Sequence, residues 1–173
     1  MDLITAAAGT EMDDTFLHGL AEQVGDRLRR NRHMVCTAES CTGGWIAKMV
    51  TDIPGCSGWF DCGMAAYSYE AKQALLGVRP ETLTQYGAVS RETVLEMVSG
   101  ALITSGATLA VAVTGIAGPT GGTADKPVGT VWVAWKRRGR YPTAEVCHFE
   151  GDREAIRRQT VARALHGLLA LSD

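Results

Sequence analysis

No two cysteines in this 173-residue chain are spaced C-x-x-C, and the set, Cys36, Cys41, Cys56, Cys62 and Cys147, is odd in number. A chain of this length buries roughly 70% of its unfolded surface without covalent staples. A disulfide or zinc framework is therefore not expected, and reduced thiols in a cytoplasmic protein fit best. The histidines, His18, His33, His148 and His166, are scattered with no pair at metal-ligand spacing, so no metal or other cofactor is expected. No apolar run approaches the ~20 residues of a membrane span. The N-terminus also lacks a basic region followed by an apolar stretch and a cleavage site, which argues against export.

Charge of one sign is missing too. With 17 basic and 19 acidic residues the formal net charge is −2, which gives no general attraction for nucleic acid or anionic lipid. Any anion site must be local. The two common phosphate fingerprints, G-x-x-x-x-G-K-[ST] and G-x-G-x-x-G, do not occur. What the chain has in excess is glycine, 20 of 173 residues, about 12% against a usual ~7%. A hydrophobic fraction of 46% excludes a disordered chain.

Residues 1–12 read as a loose leader, with Met12 as an alternative start, and 13–173 as one domain. Phe16, Leu17, Leu20, Val24 and Leu28 recur at helical spacing between Asp13 and Arg30, with Asp13 or Asp14 as cap. His33 to Ala38 is a short apolar strand, followed by a turn and a helix through Trp45, Ile46, Met49 and Val50. A strand from Trp59 to Tyr67 leads into a short helix near Glu70 to Leu76. Ser90 caps a helix carrying Val94, Met97, Val98, Ala101 and Leu102, which Ser105-Gly106 closes. Leu109 to Val113 is apolar at every position, as a strand covered on both faces requires. Strands at Gly129 to Trp135 and Ala144 to Phe149 and a helix from about Asp152 to Leu171 complete the pattern. Strands interleaved with helices predict an α/β fold, a three-layer α/β/α single domain. Its sheet should be mixed, because the last two strands have no helix between them.

Ligands of open α/β sheets gather at the carboxyl ends of the strands, and three segments there carry unusual residues. In Ala38-Glu39-Ser40-Cys41-Thr42-Gly43-Gly44 a hydroxyl stands at a strand-to-helix junction before two glycines. Amides of the helix start can stabilise an oxyanion, but a serine there can equally be a plain N-cap. In Tyr67-Ser68-Tyr69-Glu70-Ala71-Lys72, a desolvated Lys72 could serve as a general base for a hydroxyl; otherwise it is a solvated helix lysine. The loop from Gly115 to Gly129 holds five glycines and Lys126-Pro127. It can present amides to an anion, or its glycines can serve turn geometry alone. Arg153, in Gly151-Asp152-Arg153, can grip a phosphate or pair with Asp152, Glu150 or Glu154. Cys41 is an alternative nucleophile, since a thiol at a helix N-terminus can be acidified.

Together these segments, with Gly87-Ala88-Val89-Ser90, Thr114-Gly115-Ile116-Ala117-Gly118-Pro119 and Lys126-Pro127-Val128-Gly129-Thr130-Val131, resemble the CinA C-terminal domain family, over nearly the whole chain after Met12. In its stand-alone form that domain is a nicotinamide mononucleotide deamidase. The resemblance implies an amidohydrolase that converts nicotinamide mononucleotide and water to nicotinate mononucleotide and ammonia, in pyridine nucleotide recycling. It further implies Ser40 as nucleophile, Lys72 as base and Tyr67 as the group that orients the lysine or relays its proton. Thr42, Gly43, Gly44, Thr114, Gly115, Ala117, Gly118, Gly121, Gly122, Lys126 and Arg153 are the implied substrate-binding positions. A homodimer and a small nucleotide substrate are the implied partners. The runner-up is an inactive paralogue that only binds nucleotide. Full-length CinA proteins carry an additional N-terminal domain with a pyrophosphatase activity, which is not expected of this chain.

Overall fold

A computed structural model describes residues 12–173, and the leader reading of residues 1–11 lies outside them. Met12, placed with the leader by sequence, is half-buried against the core. The elements in chain order are α1 (Asp14–Asn31), β1 (Val35–Glu39), α2 (Trp45–Thr51), β2 (Phe60–Ala65), α3 (Tyr69–Leu76), α4 (Pro80–Tyr86), α5 (Arg91–Thr104), β3 (Leu109–Gly115), β4 (Thr130–Arg137), β5 (Thr143–His148) and α6 (Arg153–Leu171). One sheet has the order β2-β1-β3-β4-β5. β1 runs parallel to β2 and β3, whereas β4 is antiparallel to both of its neighbours. The mixed α/β sandwich read from the sequence is thus the observed fold.

Strand periodicity sorts the core into two layers. Val35 on β1 and Val111 and Val113 on β3 face α1, α2 and α6, packing with Leu17, Ile46 and Leu165. The alternate residues Cys36, Ala38, Ala110 and Ala112 are small and face α3 and α5, where Leu76, Val94 and Met97 cover them. Small side chains on that face let α5 lie close to the sheet. α5 in turn presses on α3: a Cβ at Gly100 would stand 1.7 Å from the carbonyl oxygen of Leu76, so only glycine allows this approach. The position of α3, and with it Lys72, is fixed by that contact.

Caps follow the sequence closely. Asp13 accepts from the amide of Phe16, and Ser90 accepts from the amide of Thr93; each such cap contributes ~1 kcal/mol. The helix that the sequence reading omitted is α4. Its signal is Pro80 at the first turn, where a missing N–H is harmless and φ is already helical. The strand read as Trp59 to Tyr67 ends at Ala65; the amide of Ala66 still donates to Glu39 of β1, but the carbonyls of Ala66 and Tyr67 are turned to another use.

Because β1, β2 and β3 are parallel, their carboxyl ends lie along one edge of the sheet, with Ser40, Ala66-Tyr67 and Gly115 just at or beyond them. β4 starts at the same edge, paired as Gly115 to Val131, and α6 begins soon after β5 ends there.

Candidate active site

Ser40 follows the last residue of β1 and its amide donates to Val113 of β3, which ties it to the sheet edge. It is 8% exposed, and the cap of α2 is Gly44, so Ser40 is not an N-cap. By strand alternation Ser40 continues the face of Cys36 and Ala38, the side on which α3 lies. Lys72 reaches it from α3: Nζ lies 2.8 Å from Ser40 Oγ, 2.9 Å from the carbonyl oxygen of Ala66 and 2.8 Å from that of Tyr67. The lysine is fully buried. No carboxylate hydrogen-bonds or pairs with it among the described residues, so desolvation dominates and holds its pKa down at about 8.

The three neighbours of Nζ suit a neutral amine. Two N–H groups can donate to the carbonyls of Ala66 and Tyr67, and the lone pair is left to accept from the Ser40 hydroxyl. The protonated amine would donate to all three oxygens, so the same geometry serves both states.

Cys41 points the other way, into the layer formed by α1, α2 and α6. Burial pushes its thiol up to about 12, which removes the acidification that a nucleophilic thiol needs. Thr42 is also buried, and its hydroxyl donates to Glu39 Oε1 at 2.7 Å, while the residue contributes to the wall of the cleft beside the turn. Gly43 and Gly44 have φ of +61° and +101°, conformations that any Cβ would strain, and they turn the chain sharply into α2. The amide of Gly43 is used in this turn, donating to the carbonyl of Ser40. Those of Thr42 and Gly44 have no acceptor among the described residues.

Two side chains that the sequence reading passed over hold this turn. Glu39, fully buried, accepts from Thr37 Oγ1, Thr42 Oγ1 and the amides of Ile46 and Ala47 at 2.7–3.1 Å. It thereby satisfies first-turn amides of α2, which has no side-chain cap of its own. Arg157, from α6, donates through Nε to the carbonyl of Cys41 and through Nη2 to that of Thr42, both at 3.0 Å.

The remaining predicted positions divide. Arg153 joins the site, donating to the carbonyl of Gly118 at 2.8 Å and to the Tyr67 phenol at 3.3 Å. Tyr67 itself meets Lys72 through its main-chain carbonyl, while its exposed phenol turns to Arg153. Thr114 is buried, with its hydroxyl donating to the carbonyl of Ala88. Lys126 is held by the carbonyl of Tyr86 at 2.9 Å, which binds the glycine loop to the turn before α5. In that loop Gly115, Gly118 and Gly122 are explained by contact within the fold: a Cβ on each would come within 2.7 Å of Val131 or Val128. Ala117 is buried against the core, and Gly121 is exposed.

An open cleft of about 620 Å³ lies beside the turn, walled by Gly43, Gly44, Trp45, Lys48, Arg153 and Arg157 among others. Sequence alternation could not have found Glu39 or Arg157, but the local string Glu39-Ser40, with a carboxylate where a core strand should be apolar, was a usable signal.

The family model of the CinA C-terminal domain matches residues 17–172. The chain is 54% identical over 158 residues to the nicotinamide-nucleotide amidohydrolase PncC of Escherichia coli strain K12, covering 91% of this chain and 95% of that protein. It is also 54% identical over 152 residues to the protein of the same name from Pseudomonas putida, covering 88% and 94%. Among solved structures, the competence/damage inducible protein CihA of Agrobacterium tumefaciens superposes with a TM-score of 0.88 at 46% identity, covering 93% of this chain and 97% of that one.

Proposed function

Because the chain belongs to the CinA C-terminal domain family, we propose that it is a nicotinamide-nucleotide amidohydrolase working through Ser40 and Lys72. The observation that carries this reading is the 2.8 Å contact between Lys72 Nζ and Ser40 Oγ, with the lysine fully buried and its pKa lowered to about 8. The names of the relatives support the substrate, nicotinamide mononucleotide, and the product, nicotinate mononucleotide.

The chemistry follows from the groups present. Ser40 Oγ attacks the carboxamide carbon as its proton passes to the Lys72 lone pair. The carbonyl oxygen becomes an oxyanion, for which the unpartnered amides of Thr42 and Gly44 are the donors at hand. On collapse the C–N bond breaks and the Lys72 ammonium gives its proton to the departing nitrogen, which leaves as ammonia. A water then attacks the Ser40 ester, losing a proton to Lys72. The second collapse releases the carboxylic acid, which ionises into solvent, and Lys72 returns its proton to Ser40 Oγ. Arg153 is the residue we assign to the substrate phosphate, since it lines the cleft and only two of its five N–H groups are engaged.

A homodimer and a cytoplasmic setting belong to this reading as expectations drawn from the family. No helix among the described residues is long and apolar enough to cross a membrane. An inactive nucleotide-binding paralogue would have no use for a buried lysine held at a serine hydroxyl. The test is ammonia release from nicotinamide mononucleotide by the purified protein: the wild type turns over, and Ser40→Ala and Lys72→Ala each lose at least about 10³-fold in kcat. Wild-type turnover in either variant would sink the assignment.

A further inference from the structure

We propose that Arg157 is a positioning residue that aims and polarises the amide donor of Thr42; the inference rests on the reading of Ser40 as nucleophile. The Cys41–Thr42 peptide is trans, so its C=O and N–H are fixed in one plane and point in opposite directions. Arg157 Nε holds that carbonyl oxygen at 3.0 Å. Fixing the oxygen fixes the direction of the Thr42 N–H, which has no acceptor among the described residues. A guanidinium charge on the carbonyl also draws electron density through the amide, which makes the N–H a stronger donor.

The second bond, from Nη2 to the Thr42 carbonyl, does the same for the next peptide, whose N–H at Gly43 closes the turn back onto Ser40. The planar fork of arginine spans two successive carbonyls in a way that a lysine ammonium cannot. Its own orientation is set by Trp45, whose ring centroid lies 5.3 Å from the guanidinium carbon. The other side of the turn is held independently, through the bond of the Thr42 hydroxyl to Glu39. Thr42 is therefore held from two directions, while its amide, like those of Cys41 and Gly44, has no acceptor among the described residues.

Gly43 fits this arrangement. A Cβ at that position would lie 3.6 Å from Arg157 Nη2, so the fork packs directly over the left-handed turn. Arg157 itself need touch neither the substrate nor the reacting atoms.

The experiment compares wild type with Arg157→Ala and Arg157→Lys on two readouts, steady-state ammonia release from nicotinamide mononucleotide and the rate at which a fluorophosphonate labels Ser40, followed by mass spectrometry. The expected result for Arg157→Ala is a fall of about 10- to 100-fold in kcat with KM within about threefold, and a parallel fall in labelling rate. Guanidinium ion at millimolar concentration should restore part of both rates. Arg157→Lys should be impaired and not rescued. A rise in KM at constant kcat would make Arg157 a substrate contact and overturn the proposal. Unchanged kcat and labelling, or a lowered Tm with no rescue, would overturn it as well. If the wild type neither labels at Ser40 nor releases ammonia, the nucleophile reading falls and this inference with it; an active wild type beside unaffected Arg157 variants removes the inference alone.

Discussion

Lys72 Nζ and Ser40 Oγ stand 2.8 Å apart although 32 residues separate them in the chain, and the lysine carries no countercharge within hydrogen-bond reach among the described residues. Under the proposed mechanism the neutral amine is the competent form. With a pKa of about 8, roughly a tenth of the enzyme is competent at pH 7. The value of kcat/KM should therefore rise with pH by close to tenfold per unit below pH 7 and level off above about 8. A flat profile between pH 6 and 9 would contradict the role of Lys72.

The same lowered pKa makes a prediction about stability. A lysine that titrates at about 8 when folded and near its ordinary 10.5 when unfolded binds fewer protons in the native state between those values. Its penalty is fully present below pH 8 and is relieved as pH rises towards 10.5. Relative to Lys72→Met, which does not titrate, the wild type should gain stability by up to about 3 kcal/mol over that window. Urea denaturation of both proteins at pH 7 and pH 10 measures the difference, and a constant gap would refute the shift.

Glu39 should be a stability residue first. Replacing it by Ala leaves two hydroxyls, one on β1 and one in the turn, and two amides of α2 without their acceptor. Each buried donor left unsatisfied typically costs about 1–3 kcal/mol, so the total loss should be several times that of a single bond. Thr42→Val removes one of those bonds and should cost about 1 kcal/mol. Chemical denaturation of the two variants would show the ranking, and equal losses would mean that Glu39 is not the hub.

Arg153 should act on substrate affinity. Arg153→Ala should raise KM for nicotinamide mononucleotide by about 10- to 100-fold, the range of a charge-assisted bond, with little change in Tm because the side chain is exposed. Nicotinamide riboside, which lacks the phosphate, should lose much less. An equal loss for both substrates would move the phosphate elsewhere, with Lys48 in the same cleft the next residue to test.

Cys41 should be dispensable for chemistry. Its thiol, pushed up to about 12, is almost wholly protonated at pH 8. Iodoacetamide at that pH should leave Cys41 unmodified by mass spectrometry, and Cys41→Ala should keep turnover within about tenfold of wild type, the margin allowed for repacking. Abolished turnover in that variant with activity retained in Ser40→Ala would reverse the assignment of nucleophile.

The helices and strands were legible because their signals are local: the continuous apolar run of Leu109 to Val113, the cap at Ser90, the spacing from Phe16 to Leu28. Ser40 and Lys72 stood out locally only as candidates, and their roles came from the family resemblance; Ser40 directly follows β1, and Lys72 is the fourth residue of α3. Arg157 was not legible, because it lies in α6 among other arginines, Arg153, Arg158 and Arg163, and its partners lie 115 and 116 residues away. The glycine loop serves packing at several positions. Its excess of glycine pointed to a cradle for anions, yet Gly115 and Gly118 are accounted for by contact with Val131 and Val128. Lys126 supplies a strut to Tyr86. Composition cannot distinguish a backbone that admits a ligand from one that admits a neighbouring side chain.

The two carbonyls that receive Lys72 belong to residues only six and five positions before it. The ring they close is short, so the entropy of ordering this long side chain is met largely within its own segment. The same segment is tied to β1, because the amide of Ala66 donates to the carbonyl of Glu39, the residue directly before Ser40. Strand and lysine segment are thus registered to one another by this main-chain bond, so a shift of β2 against β1 would move the two carbonyls, and Lys72 with them, away from Ser40.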